Sequence, residues 1–221
     1  MGVIGITLIS NYSLPDQSQV TERLSTLEKA RLTEAIHLRQ TLGNLVWPGW
    51  AEQEIPIIGY NEGYAFLVDY PDRKIPPDGW LKMPQQRKLG GPWEAVRSDS
   101  FPGKYYYHQR LLDPAINPEN FTVRVGDVWA ATMETKEYME VNFYHGYHQE
   151  LPPGLCSIFP YRQFWGLLMG ETDTYLGGLE HEAFHAFQGS LVPERLEQAE
   201  IANRSEARYP WEDATFGEAW E

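Results

Sequence analysis

Cysteine is nearly missing from this chain of 221 residues, where Cys156 stands alone. A single thiol excludes an intrachain disulfide framework and any cysteine-built zinc site. Positive charge is also scarce. Against 31 Asp and Glu there are 18 Lys and Arg, for a formal charge of −13. A surface of that sign repels a phosphate backbone, which argues against a nucleic-acid partner and against contact of the domain itself with an anionic membrane. No apolar stretch reaches the roughly 20 residues that span a bilayer. The GxGxxG, P-loop and GxSxG signatures of nucleotide sites and serine hydrolases do not occur, nor does any repeat or low-complexity tract.

The rest is ordinary globular composition, 42% hydrophobic and 22% charged, and the length suffices to bury a core. Aromatic residues make up 14%, with 8 Trp, enough for a large core, a ligand groove or both. Met1 to Ser10 is largely apolar, but it has no basic residues ahead of it and no small-x-small cleavage site. It reads as a first strand or plain chain start, which leaves the protein cytoplasmic. The alternative is the tail of a signal or anchor helix, which makes it exported or membrane-anchored.

After a segment over 1–17, a leading helix is expected over 18–43. Leu24, Leu27, Ala35, Leu38 and Leu42 form its apolar stripe, charges fill its other face, and Gly43 stops it. Trp47-Pro-Gly-Trp50 is a corner. Strands are expected at Ile55 to Tyr60 and Tyr64 to Tyr70, joined by Asn61-Glu62-Gly63. Residues 71–103 read as a long irregular excursion. Further strands are expected at Tyr105 to Leu111, Phe121 to Val125, Val128 to Glu134 and Tyr138 to Tyr147, as an antiparallel meander. Helices follow at Tyr161 to Met169, Tyr175 to Gln188 (capped by Asp173 or Thr174, stopped by Gly189), Pro193 to Ala207, and from about Asp213. Strands first and helices after make an α+β fold, an antiparallel sheet packed on helices in one domain over 1–221.

His181-Glu182-Ala183-Phe184-His185 carries the chemistry. On a helix, positions i and i+4 lie one turn apart on one face, so two imidazoles there approach a single metal ion from one side. Glu182, beside the first histidine, can reach a water on that metal without ligating it, and can take the proton that zinc has loosened. The flanking Leu179, Ala183, Ala186 and Phe187 bury such a helix along one stripe. Gly177 and Gly178 admit a close approach.

The pentapeptide resembles the HExxH signature of zincin metallopeptidases. The wider string from His181 to Gly189, followed by Tyr209-Pro-Trp-Glu-Asp213, also resembles bacterial proteins of unassigned function that carry it. The resemblance implies a zincin-like fold with the motif on a central helix, a Zn2+ cofactor held by His181 and His185, Glu182 as general base, and a peptide or protein substrate. Gln188 and Leu191 stand where a metzincin needs Gly and His, so the gluzincin branch remains. There a later helix supplies the third ligand. Glu194, Glu197 and Glu200 stand too close to a helix ending at Gly189, which leaves Glu218 ahead of Glu221. The chain stops at Glu221 inside a helical pattern, so truncation, with the third ligand beyond the end, stays open.

The same resemblance calls for an oxyanion donor, for which Tyr209, Tyr175 and His148 are equal candidates. It also calls for a strand beside the metal that pairs with substrate, and Trp129, Ala130 and Ala131 on Val128 to Glu134 are expected there. His145 and His148 on a strand face opposite ways, against a shared metal. Cys156, between Leu155 and Ile158, reads as buried and inert. Function is thus expected to be zinc-dependent hydrolysis of a peptide bond. The alternative from another class is a metal-free, degenerate zincin-like scaffold that binds a peptide or glycan without turnover. Hydrolysis of a non-peptide amide or ester uses the same water-activating chemistry.

Overall fold

The computed structural model describes Thr7, Asn11 and residues 21–205 except 73, 83–86 and 114–117. It is a mixed α+β structure built on a curled, mostly antiparallel sheet with helices. The eight strands are β1 (Ile57–Tyr60), β2 (Tyr64–Val68), β3 (Trp80–Lys82), β4 (Arg87–Leu89), β5 (Glu94–Ala95), β6 (Tyr107–Arg110), β7 (Thr122–Val125) and β8 (Val128–Glu134). Their order is β4-β3-β7-β8-β1-β2-β6-β5. This is not the expected meander. The long connection between β2 and β7 lets β8 return beside β1, and that pair is parallel. The excursion over 71–103 holds β3, β4 and β5, too short to give a periodic signal.

Alternation sorts the strand residues onto two faces. Ile58, Ala65, Leu67, Trp80, Val123 and Ala130 pack together on one face. Just past β4 the chain touches the side chain of Gln109 on β6. Gly90 has φ +73°, and a Cβ there would stand 2.5 Å from Gln109 Oε1. Gln109 Oε1 accepts the Gly91 N–H at 2.7 Å. The other face presents Ile57, Phe66, Val68 and Met133 in one cluster, and Trp129 and Ala131 in the next, to the helices.

Those helices are α1 (Thr26–Val46) and α5 (Thr172–Leu191); α6 (Pro193–Ser205) packs on α5. Ser25 caps α1 through its side chain. The buried row of α1 is Glu28, Leu32, Ala35, Arg39 and Gly43, a different stripe from the expected one: Leu27 and Leu42 are exposed. Gly43 does not stop the helix. A Cβ there would lie 3.0 Å from Ala51 N, so its bareness lets the Trp47–Trp50 corner fold back onto α1.

Tyr138 to Tyr147 is helix, not strand. It belongs to α2 (Lys136–Glu150), followed by α3 (Pro153–Cys156) and α4 (Tyr161–Leu168). Its Tyr, Val and Phe content suggests β structure, but two helix signals prevail. Thr135 caps the first turn through its side chain. Met139, Phe143, Tyr147 and Leu151 recur every four residues and pack around Tyr144, Tyr161 and Trp165. Glu28, buried on α1, accepts the Glu137 N–H at 3.0 Å and so caps α2 from outside. Among the described residues no helix is long and apolar enough to cross a membrane.

Candidate metal and catalytic site

The motif lies on α5, whose buried residues are Tyr175, Leu176, Leu179, Ala183, Ala186, Phe187 and Gly189. That stripe faces β8 and β7 and runs beside α1. Helical geometry then turns His181 outward, with His185 and Glu182 at the margin. The helix starts and ends beyond the expected bounds. Glu171 is its N-cap, without a side-chain bond. Gly189 is interior and rests on Trp129. Gly178 meets the Met133 methyl, and Gly177 is exposed.

His181 Nε2 and His185 Nε2 stand 3.1 Å apart. Zinc–nitrogen bonds of about 2.05 Å at a tetrahedral angle hold two ligand nitrogens about 3.3 Å apart, so the pair is close to a chelating arrangement. His185 Nδ1 lies 3.0 Å from Gln188 Oε1. An amide oxygen only accepts, so Nδ1 carries the proton and the lone pair remains on Nε2, the tautomer a metal requires. The donor set, two imidazoles with their Nε2 atoms facing each other and the second ring held from behind by Gln188, fits zinc.

Glu182 is anchored through its backbone, whose carbonyl accepts from Thr122 Oγ1 of β7 at 3.3 Å. Burial pushes its carboxyl above the usual range; His185 and His181 oppose the shift and Glu200 adds to it. Glu200 was set aside on the expectation that no antiparallel return fits after Gly189. The structure differs: α5 reaches Leu191, Val192 alone makes the turn, and α6 starts at Pro193. A proline suited to the first turn of a helix was the signal for so short a link. Gln188 was legible too, three residues from His185 on one helix row.

The other candidates scatter. Glu218, Glu221 and Tyr209 lie outside the described residues, and among the described residues no third His, Cys, Asp or Glu joins a metal-holding group. Tyr175 is fully buried and donates to the Glu134 carbonyl at 3.1 Å, so its hydroxyl is spent in the core. His148 is exposed on α2, which packs against α4. On that helix His145 and His148 share a face after all. Trp129, Ala130 and Ala131 lie on an interior strand, with β7 paired on one edge and β1 on the other. No edge is left for an extended substrate, and Ala130 faces the side of the sheet away from α5. Cys156 is buried, its thiol within 3.1 Å of the Leu151 carbonyl. No family model, curated protein or solved structure matches this chain.

Proposed function

We propose that this protein is a zinc-dependent hydrolase, in the first place a peptidase, built on His181, Glu182 and His185. The observation that carries the reading is the Nε2 pair 3.1 Å apart with Gln188 behind the second ring. His181 and His185 would hold Zn2+, and Gln188 would fix the His185 tautomer. The resemblance to gluzincins implies a later carboxylate as third ligand, Glu218 ahead of Glu221 or a residue beyond the chain end. Zinc in such a site polarises a carbonyl and acidifies water. Glu182 takes a proton from the attacking water and delivers it to the leaving nitrogen, so that the C–N bond breaks with a neutral amine as product. Its raised pKa suits the first transfer, because a carboxylate that holds a proton more tightly is the better base.

Elemental analysis of untagged protein tests this. About one zinc per chain is expected, lost in His185→Ala. Glu182→Gln should keep the metal and lower peptide hydrolysis by about 10²–10⁴-fold. No zinc, either in this chain or in one extended past Glu221, would sink the hydrolase. Zinc without turnover of any peptide would favour the binding scaffold.

A further inference from the structure

Beside the histidine pair, on the flank of α5 away from Glu182, an apolar groove of about 370 Å³ opens between α5, α6 and the end of α1. That volume falls in the range of small-ligand sites. Phe184 and Phe187 form its floor. Trp47, Leu191 and Val192 form its rim, and the first two of these are 53% and 56% exposed. Phe184 lies inside the motif itself, between the two histidines. Trp50 packs edge-on against it at 4.9 Å and Trp47 at 6.3 Å. The corner over Trp47–Trp50 thus positions one exposed indole and one buried indole against the metal helix. Asn44 holds the corner by accepting the Gly49 N–H at 2.8 Å. Gln188 lines the groove and also contacts His185 Nδ1, so one side chain joins the groove to the histidine pair.

We propose that this groove is the specificity pocket of the site and takes a large apolar side chain of the peptide substrate beside the scissile bond. The proposal rests on the hydrolase reading, which it deepens by naming the substrate class. In a chain of charge −13 the lining carries one charged residue, the cation Arg195. Arg195 and Gln188 are the charged and amide groups of the lining, and the rest of it is apolar, so phenylalanine or leucine buries apolar surface against rings over most of the groove, whereas a polar side chain loses hydration along it.

The test uses blocked pentapeptides of alanine with phenylalanine, leucine, alanine or glutamate at the centre. Binding is measured by calorimetry on Glu182→Gln, and kcat/KM on the wild type. Phenylalanine and leucine should be favoured over alanine by about 10–200-fold, the span one apolar pocket commands. Trp47→Ala and Leu191→Glu, both at exposed rim positions, should each cut the phenylalanine-to-alanine ratio at least tenfold. Turnover without preference, or a preference that both variants keep, overturns the proposal and leaves the hydrolase standing. Preference in binding without any turnover supports the pocket and sinks the hydrolase. A dimer that Leu191→Glu abolishes, with no peptide preference, makes the groove a self-association face and also overturns it.

Discussion

Gly189 lies directly on the indole of Trp129: a Cβ at that position would stand 2.6 Å from the ring. A mid-helix glycine costs about 1 kcal/mol relative to alanine, and here that loss allows α5 to sit close to β8. Gly189→Ala should therefore destabilise the protein, by about 1–3 kcal/mol of overpacking less the propensity gain. Urea unfolding checks it. A variant as stable as the wild type would show that Trp129 moves aside freely.

Gln188 acts on the metal site through His185. Gln188→Ala removes the acceptor for Nδ1–H and should weaken zinc binding about 10–100-fold. Gln188→Glu, which keeps an acceptor there, should restore it. Competition with a chromophoric chelator reads both, and equal affinity in all three proteins would remove Gln188 from the site.

Arg39, buried, and Glu180, half-buried, face each other between α1 and α5 at 3.8 Å, too far for a hydrogen bond. Neither Glu180 oxygen has a hydrogen-bonding partner, although Arg39 donates to the Ile55 carbonyl at 3.0 Å. Burial raises the Glu180 carboxyl from 4.5 to about 7, and Arg39 only partly opposes this. The folded state then holds a proton that the unfolded state releases. Stability from this group is complete below the ordinary carboxylate pKa and is lost as pH rises through about 7, a change of about 3 kcal/mol at most. Urea unfolding at pH 5 and pH 8 should show a fall in the wild type that is smaller in Glu180→Gln. Equal slopes would mean that the pair is solvated.

Glu200 raises the pKa of Glu182. Glu200→Gln should therefore move the acidic limb of the kcat/KM profile to lower pH, since a carboxylate without a negative neighbour ionises more readily. An unmoved limb would separate the two residues. A loss of zinc in the same variant would instead make Glu200 a ligand.

Glu28 joins two helices: its Oε1 accepts the Glu137 N–H at the start of α2 and a hydrogen bond from Arg31 at 2.6 Å. Glu28→Ala leaves both donors unpaired in a buried setting and should cost about 3–5 kcal/mol. Far-UV circular dichroism during urea titration reads it. A loss below 1 kcal/mol would show that water replaces the carboxylate.

What the sequence determined by itself is local. The turn-to-turn spacing of His181 and His185, the helix that carries them, the hairpin around Asn61-Glu62-Gly63 and the burial of Cys156 follow from neighbours within a few residues, where helix and turn geometry leave little freedom. Tertiary structure decided what depends on which surfaces meet. Residues 138–147 suit a strand by composition and become α2, because Glu28 from another helix caps them and α4 covers their apolar row. Val128 to Glu134 is a strand either way. Pairing on both edges, which no local pattern records, leaves it no free edge for an extended chain. Burial of Glu28 and Arg39, return of Glu200 to Glu182, and the approach of Trp47 and Trp50 to Phe184 all join residues far apart in the chain. Such contacts are selected by packing of the whole core, so they become visible only when the chain is folded.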